Sequence, residues 1–215
     1  MQQPSISQHG MIGFETAIAM LQAISSSAAI PLVRPPGRVP SEIMRFLDAG
    51  AYGVICPMIS TGSDAADLVS ACRYPPHGSR SFGPARGLLY GGNDYLDGAN
   101  REILVLGMIE TREGLENLED ILAVPGLDGI YVGPNDLSLA LGHRPQNESS
   151  VPEVANAIEL VRRRTVETGK VAGIFCSNGT AAAMRIAQGF DLVTPGNDAA
   201  LLRGAMRDAV NASRA

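Results

Sequence analysis

A chain of 215 residues, 45% of them hydrophobic, is long enough for one domain with a sizeable core, spanning 1–215. A net charge of −5 without a basic stripe argues against a nucleic-acid partner. The three cysteines (Cys56, Cys72, Cys176) form no CxxC pair, no apolar run approaches membrane length, and the opening MQQPSISQHG lacks a signal-peptide core, which together predict a soluble, cytoplasmic protein.

In chain order, FETAIAMLQAIS predicts a helix and AIPLVR a strand over 29–34, closed by Pro35. The helix of SEIMRFLDAG leads to a strand at 53–59. The stretch 73–100, rich in Gly and Pro, predicts a long loop with one helix near 93–101, serving as a lid or, through Arg80 and Arg86, as an oligomer contact. Strands follow at 104–109, 129–133, 171–176 and 191–195, separated by helices in NLEDILAVPG, NDLSLALG, IELVRRRTVETG and AAAMRIAQG. Gly50, Gly126, Gly169 and Gly189 fall where a helix ends in a left-handed residue before each strand. Six strands joined by helix-length connections predict a parallel sheet with right-handed crossovers. A (β/α)8 barrel of TIM type, with about six βα units present, fits better than a doubly wound sheet. No Gly-rich phosphate loop follows the first strand, and functional-looking residues end several different strands. Residues 1–8 do not read as a strand.

Two of those strand ends carry carboxylates. Glu110 closes LVLGMI and Asp136 follows GIYV, placing both at the carboxyl end of a parallel sheet, where α/β folds carry their chemistry. Two carboxylates on consecutive strands could share one hard divalent cation. The plainer alternative makes Asp136 a helix cap and puts Glu110 in a first helical turn, where negative charge is favourable. Read on the residues alone, the two alternatives stand even. Arg34, pushed into extended geometry by Pro35, would add a forked cationic donor at a third strand end.

Several segments together resemble the metal-dependent pyruvate aldolases of the HpcH/HpaI family: PLVR, GAYGVICPMIST, ACRYPPHGSRSFGP, MIETREGLENLEDIL and GLDGIYVGPNDLSLALG. That family includes 4-hydroxy-2-oxoheptanedioate and sugar-acid aldolases and is related more distantly to the citrate lyase β subunit. The likeness runs from His9 to the end. It implies a barrel of the phosphoenolpyruvate/pyruvate-domain type and a hexameric homo-oligomer. It also implies a metal site at Glu110 and Asp136, substrate contacts from Arg34, Gly133, Pro134 and Asn135, proton transfer by His9 and support of that histidine by Asp48. Where the family shows an apolar strand ending in Asp-x-x-His, this chain has Ile6. Against the family's length the first βα unit and most of the second strand are absent. The strands at 29–34 and 191–195 are therefore expected to have open edges, giving a poorly soluble or loosely packed chain of low activity.

The expected chemistry is retro-aldol cleavage of a 4-hydroxy-2-oxo acid to pyruvate and an aldehyde, and the reverse addition. An all-oxygen site suits Mg²⁺ or Mn²⁺, with Co²⁺ as a further candidate. A Schiff-base route needs a lysine in the pocket, and the one lysine, Lys170, precedes its strand and falls at the opposite face. Two alternatives remain. An acyl-CoA lyase of citrate-lyase type would need a basic groove for the CoA phosphates, and only Arg162–Arg164 form a basic run. The other is an inactive truncated homologue.

Overall fold

A computed structural model of the chain describes residues 4–6, 10 and 12–214. The elements run β1 (Pro4–Ile6), α1 (Phe14–Ile24), β2 (Leu32–Arg34), α2 (Pro40–Asp48), β3 (Gly53–Cys56) and α3 (Gly62–Cys72), then two short helices, α4 (Ala85–Gly91) and α5 (Tyr95–Glu102). They continue with β4 (Leu104–Ile109), α6 (Arg112–Glu116), α7 (Leu118–Leu122), β5 (Gly129–Val132), α8 (Pro134–Ala140) and α9 (Pro152–Glu167). The chain closes with β6 (Val171–Cys176), α10 (Gly179–Ala187), β7 (Leu192–Pro195) and α11 (Asp198–Ala212). The seven strands of the described residues are parallel and lie side by side in sequence order, β1 to β7. No described helix is long and apolar enough to cross a membrane.

Alternation along the strands divides the core in two. Val33, Val54, Cys56, Val105, Ile109, Ile130, Val132 and Ile174 face outward into the large cluster shared with the helices. Leu32, Ile55, Leu106, Met108 and Tyr131 face the other way and pack on one another, with Leu104, Val171, Phe175 and Leu192 at their margin. A sheet apolar on both faces, helices outside and side chains filling the inside, is the arrangement of a TIM-barrel-like α/β fold. The inner layer relies on close fitting across strands. A Cβ on Gly173 would lie 2.7 Å from the ring of Tyr131, so the tyrosine leans over β6 and its hydroxyl reaches Thr194 Oγ1 on β7 at 2.7 Å. The four glycines predicted to end helices all have positive φ, from 72° at Gly169 to 101° at Gly50.

Three expectations are corrected. Residues 4–6 do form a strand, in register Pro4↔Leu32 to Ile6↔Arg34, so the described residues hold seven strands and β2 is not an edge. Three residues opening on proline carry no readable alternation; the unpaired backbone of β2 supplies the partner. The segment 73–100 holds two helices instead of one. Its glycines allow close approach rather than looseness, since a Cβ on Gly87 would come within 2.9 Å of Tyr95 Cζ. Arg80 is 1% exposed and turned inward, donating to Asp48 Oδ1 at 2.9 Å and Tyr95 Oη at 3.0 Å with its guanidinium over the Tyr74 ring, which rules out a surface contact for its side chain.

Arg73, from the same segment, ties the amino ends of β4 and β5 together. Its guanidinium donates to Ile103 O (2.6 Å), Gly126 O (3.0 Å) and Asp128 Oδ2 (2.7 Å), while that carboxylate oxygen also accepts from Val105 N (2.7 Å). Arg73→Leu is expected to cost roughly 3 kcal/mol, the low end for a broken buried pair because Asp128 stays 33% exposed. For a chain of this size that lowers Tm by about 2–4 °C per kcal/mol. A thermal melt unchanged within a degree would show that the latch contributes nothing.

Candidate active site

The carboxyl ends of β2, β4 and β5 bring three polar residues together. Glu110 continues the inward alternation of Leu104, Leu106 and Met108 and lies between β4 and the Thr111 cap of α6, outside the first helical turn. It is 3% exposed. Its Oε1 accepts the Met58 N–H at 2.8 Å. Its Oε2 lies against Gly133, where an added Cβ would approach to 2.7 Å. Asp136 stands exposed in the first turn of α8, three residues beyond Gly133, which is the cap. Capping therefore does not account for Asp136, although the helix end still favours its charge. Arg34, half-buried at the end of β2, has Nη1 4.0 Å from Met108 Sδ.

These groups share one field. Burial raises the Glu110 pKa above the ordinary carboxylate value, opposed by the Met58 N–H, then reinforced by the like charge of Asp136 and opposed again by Arg34. Burial lowers the Arg34 pKa, and Tyr131, Glu110 and Asp136 counter it. The like charges of Glu110 and Asp136 make this corner of the site favourable to a cation. The two carboxylates make an all-oxygen donor pair that fits a hard divalent ion, although no cluster of three or more His, Cys, Asp or Glu that could hold a metal occurs among the described residues. Two such ligands would leave positions for water and substrate, as Mg²⁺ prefers.

The other predicted residues divide. Gly133 and Pro134 are buried and Asn135 half-buried in the turn between β5 and α8, beside Glu110. His9 lies outside the described residues. Asp48 is not brought to this group. It ends α2, which runs toward the amino end of the sheet, and pairs there with Arg80. Sequence reasoning missed Met58, whose φ of 58° carries no signal in its residue type. The buried thiols behave as core: burial pushes Cys56 up to about 12 and Cys176 to about 11.

The model of the HpcH/HpaI aldolase/citrate lyase family matches residues 12–205. The chain belongs to that family. A hydroxypyruvate/pyruvate aldolase of Rhizorhabdus wittichii is 47% identical over 208 residues, covering 97% of this chain and 83% of the relative. A 4-hydroxy-2-oxo-heptane-1,7-dioate aldolase of Escherichia coli is 38% identical over 200 residues, 91% of this chain and 75% of the relative. The crystal structure of an HpcH/HpaI aldolase/citrate lyase family protein from Burkholderia cenocepacia superposes with a TM-score of 0.92 at 32% identity, covering 100% of this chain and 86% of that one. This HpcH/HpaI family member is an enzyme of the aldolase type, a carbon–carbon lyase.

Proposed function

We propose that the protein is a class II pyruvate aldolase: it cleaves a 4-hydroxy-2-oxo acid to pyruvate and an aldehyde, and runs the reverse addition, with Mg²⁺ or Mn²⁺ held by Glu110 and Asp136. The observation that carries this is the convergence of those carboxylates with Arg34 at the carboxyl ends of β2, β4 and β5. The bound cation would polarise the C2 carbonyl and orient the substrate's carboxylate and keto oxygens. Arg34 then places a permanent charge where negative charge grows on the C2 oxygen. The Gly133–Asn135 turn contacts the substrate. His9 takes the C4 hydroxyl proton as the C3–C4 bond breaks; that bond's electrons pass through C2–C3 toward the C2 oxygen, the aldehyde leaves, and C3 gains a proton to give pyruvate.

In this reading Asp48, which in its own chain ends α2 away from Glu110 and Asp136 and pairs with Arg80, supports His9 of a neighbouring subunit. That accords with a homo-oligomer, a hexamer by family resemblance. The exposed Leu201, Leu202, Met206 and Val210 of α11, a helix that buries none of its residues, also support assembly. The same reading takes 1–215 as a single domain of (β/α)8 type in the cytoplasm. The acyl-CoA alternative loses its one basic run: Arg162 pairs with Glu159, Arg164 with Glu119 and Glu167, and Arg163 with Glu167. The test is direct. Purified protein with 4-hydroxy-2-oxo acids and Mn²⁺ should release pyruvate, EDTA should stop it and added Mn²⁺ restore it; release that persists through thorough chelation removes the metal mechanism.

A further inference from the structure

Met58 is the one non-glycine residue with positive φ among the described residues, at 58°. A long side chain adopts that conformation at a cost, and such a cost persists only where the surroundings fix it. Packing of the side chain does not explain it, since Met58 is 50% exposed. The surroundings do. Cys56 is held in the sheet opposite Gly107, and Ile59 is buried three residues further on, its N–H donating to Met108 O at 3.3 Å. Pro57 and Met58 must turn the chain between those anchors, and the left-handed turn at Met58 points its N–H at Glu110 Oε1, 2.8 Å away.

We infer that Met58 is a positioning residue for Glu110: its left-handed main chain fixes the rotation of the carboxylate by engaging Oε1, with the bare backbone of Gly133 on the other side leaving room for Oε2. The inference rests on the reading of Glu110 as a metal ligand. Held so, the carboxylate meets an incoming cation without reorganising, and the part that matters is the main chain of residue 58, not the thioether. Groups that orient a metal ligand typically govern affinity by about 10–100-fold.

The experiment measures Mn²⁺ binding by the free-Mn²⁺ electron spin resonance signal, without substrate, on the full chain. Met58→Val, whose branched side chain disfavours positive φ, should bind Mn²⁺ about tenfold or more weakly. Met58→Gly and Met58→Asn, which accept that backbone readily, should stay within about threefold of the parent although both lose the side chain. Folded Met58→Val that binds like the parent overturns the assignment, as does an affinity order that follows side-chain size. Should Met58→Val fail to fold, the other two decide: retained affinity in both supports a main-chain role, and loss in both overturns it. A parent protein that takes up no Mn²⁺ would instead remove the metal reading itself, and this inference with it.

Discussion

Asp136→Ala should abolish metal-dependent pyruvate release while leaving the metal-free protein within about 1 kcal/mol of the parent's stability, a bound set by the modest helix-end term that the aspartate supplies. The two halves of this expectation share a cause. Without the cation, Asp136 acts on Glu110 as a like charge and helps hold it above the ordinary carboxylate value. A carboxyl group with a raised folded-state pKa favours the fold while protonated, and that contribution is lost as pH rises through the raised value. Deleting Asp136 relieves some of this repulsion and forfeits a favourable first-turn charge, so stability moves little. Catalysis loses a ligand and with it several kcal/mol of charge stabilisation, on the order of 10³-fold or more. Steady-state turnover beside a thermal melt in EDTA checks both. A variant that melts many degrees lower would mean Asp136 is a structural cap, and one that turns over normally would mean the carboxylate pair has been given the wrong role.

Arg34→Ala should lower turnover by about 10²–10³-fold, the range for removing one donor aimed at a developing oxyanion. Arg34→Lys should recover little, because a point charge cannot reproduce the planar fork. Arg34 ends β2 and is followed by the buried Pro35, so its main chain is fixed and the effect should fall on chemistry rather than folding. The same variants should slow exchange of the pyruvate methyl protons, a reaction that builds charge on the C2 oxygen but needs no aldehyde. Exchange at the parent rate in Arg34→Ala would place the arginine elsewhere in the mechanism.

Much of the scaffold is legible in the residues because it repeats. Each helix that ends in Gly50, Gly126, Gly169 or Gly189 leads into an apolar run, and those local signals agree with the parallel order β2 to β7. Glu110 and Asp136 are legible for the same reason: a strand's end can be read, and in this architecture strand ends carry function. What could not be read depends on partners distant in sequence. β1 exists through its pairing with β2. Arg73 and Arg80 look like loop arginines until the carbonyls and the two carboxylates that they satisfy are brought to them from 30 to 55 positions away. Met58 is hidden for a different reason. Its conformation is imposed by anchors on either side, and a methionine carries no local preference for it.

The tyrosine that leans over Gly173 gives the sheet a mechanical property. Thr194 is the one buried residue of β7, and the hydroxyl contact from Tyr131 bypasses β6 to reach it. Peeling β7 away must therefore break a strut anchored two strands inward as well as the ladder beside it. That bond couples β7 to β5 as well as to β6, at about 1 kcal/mol for a neutral pair. Since β5 leads directly into the Gly133 turn, the strut ties β7 to the strand that carries the turn beside Glu110.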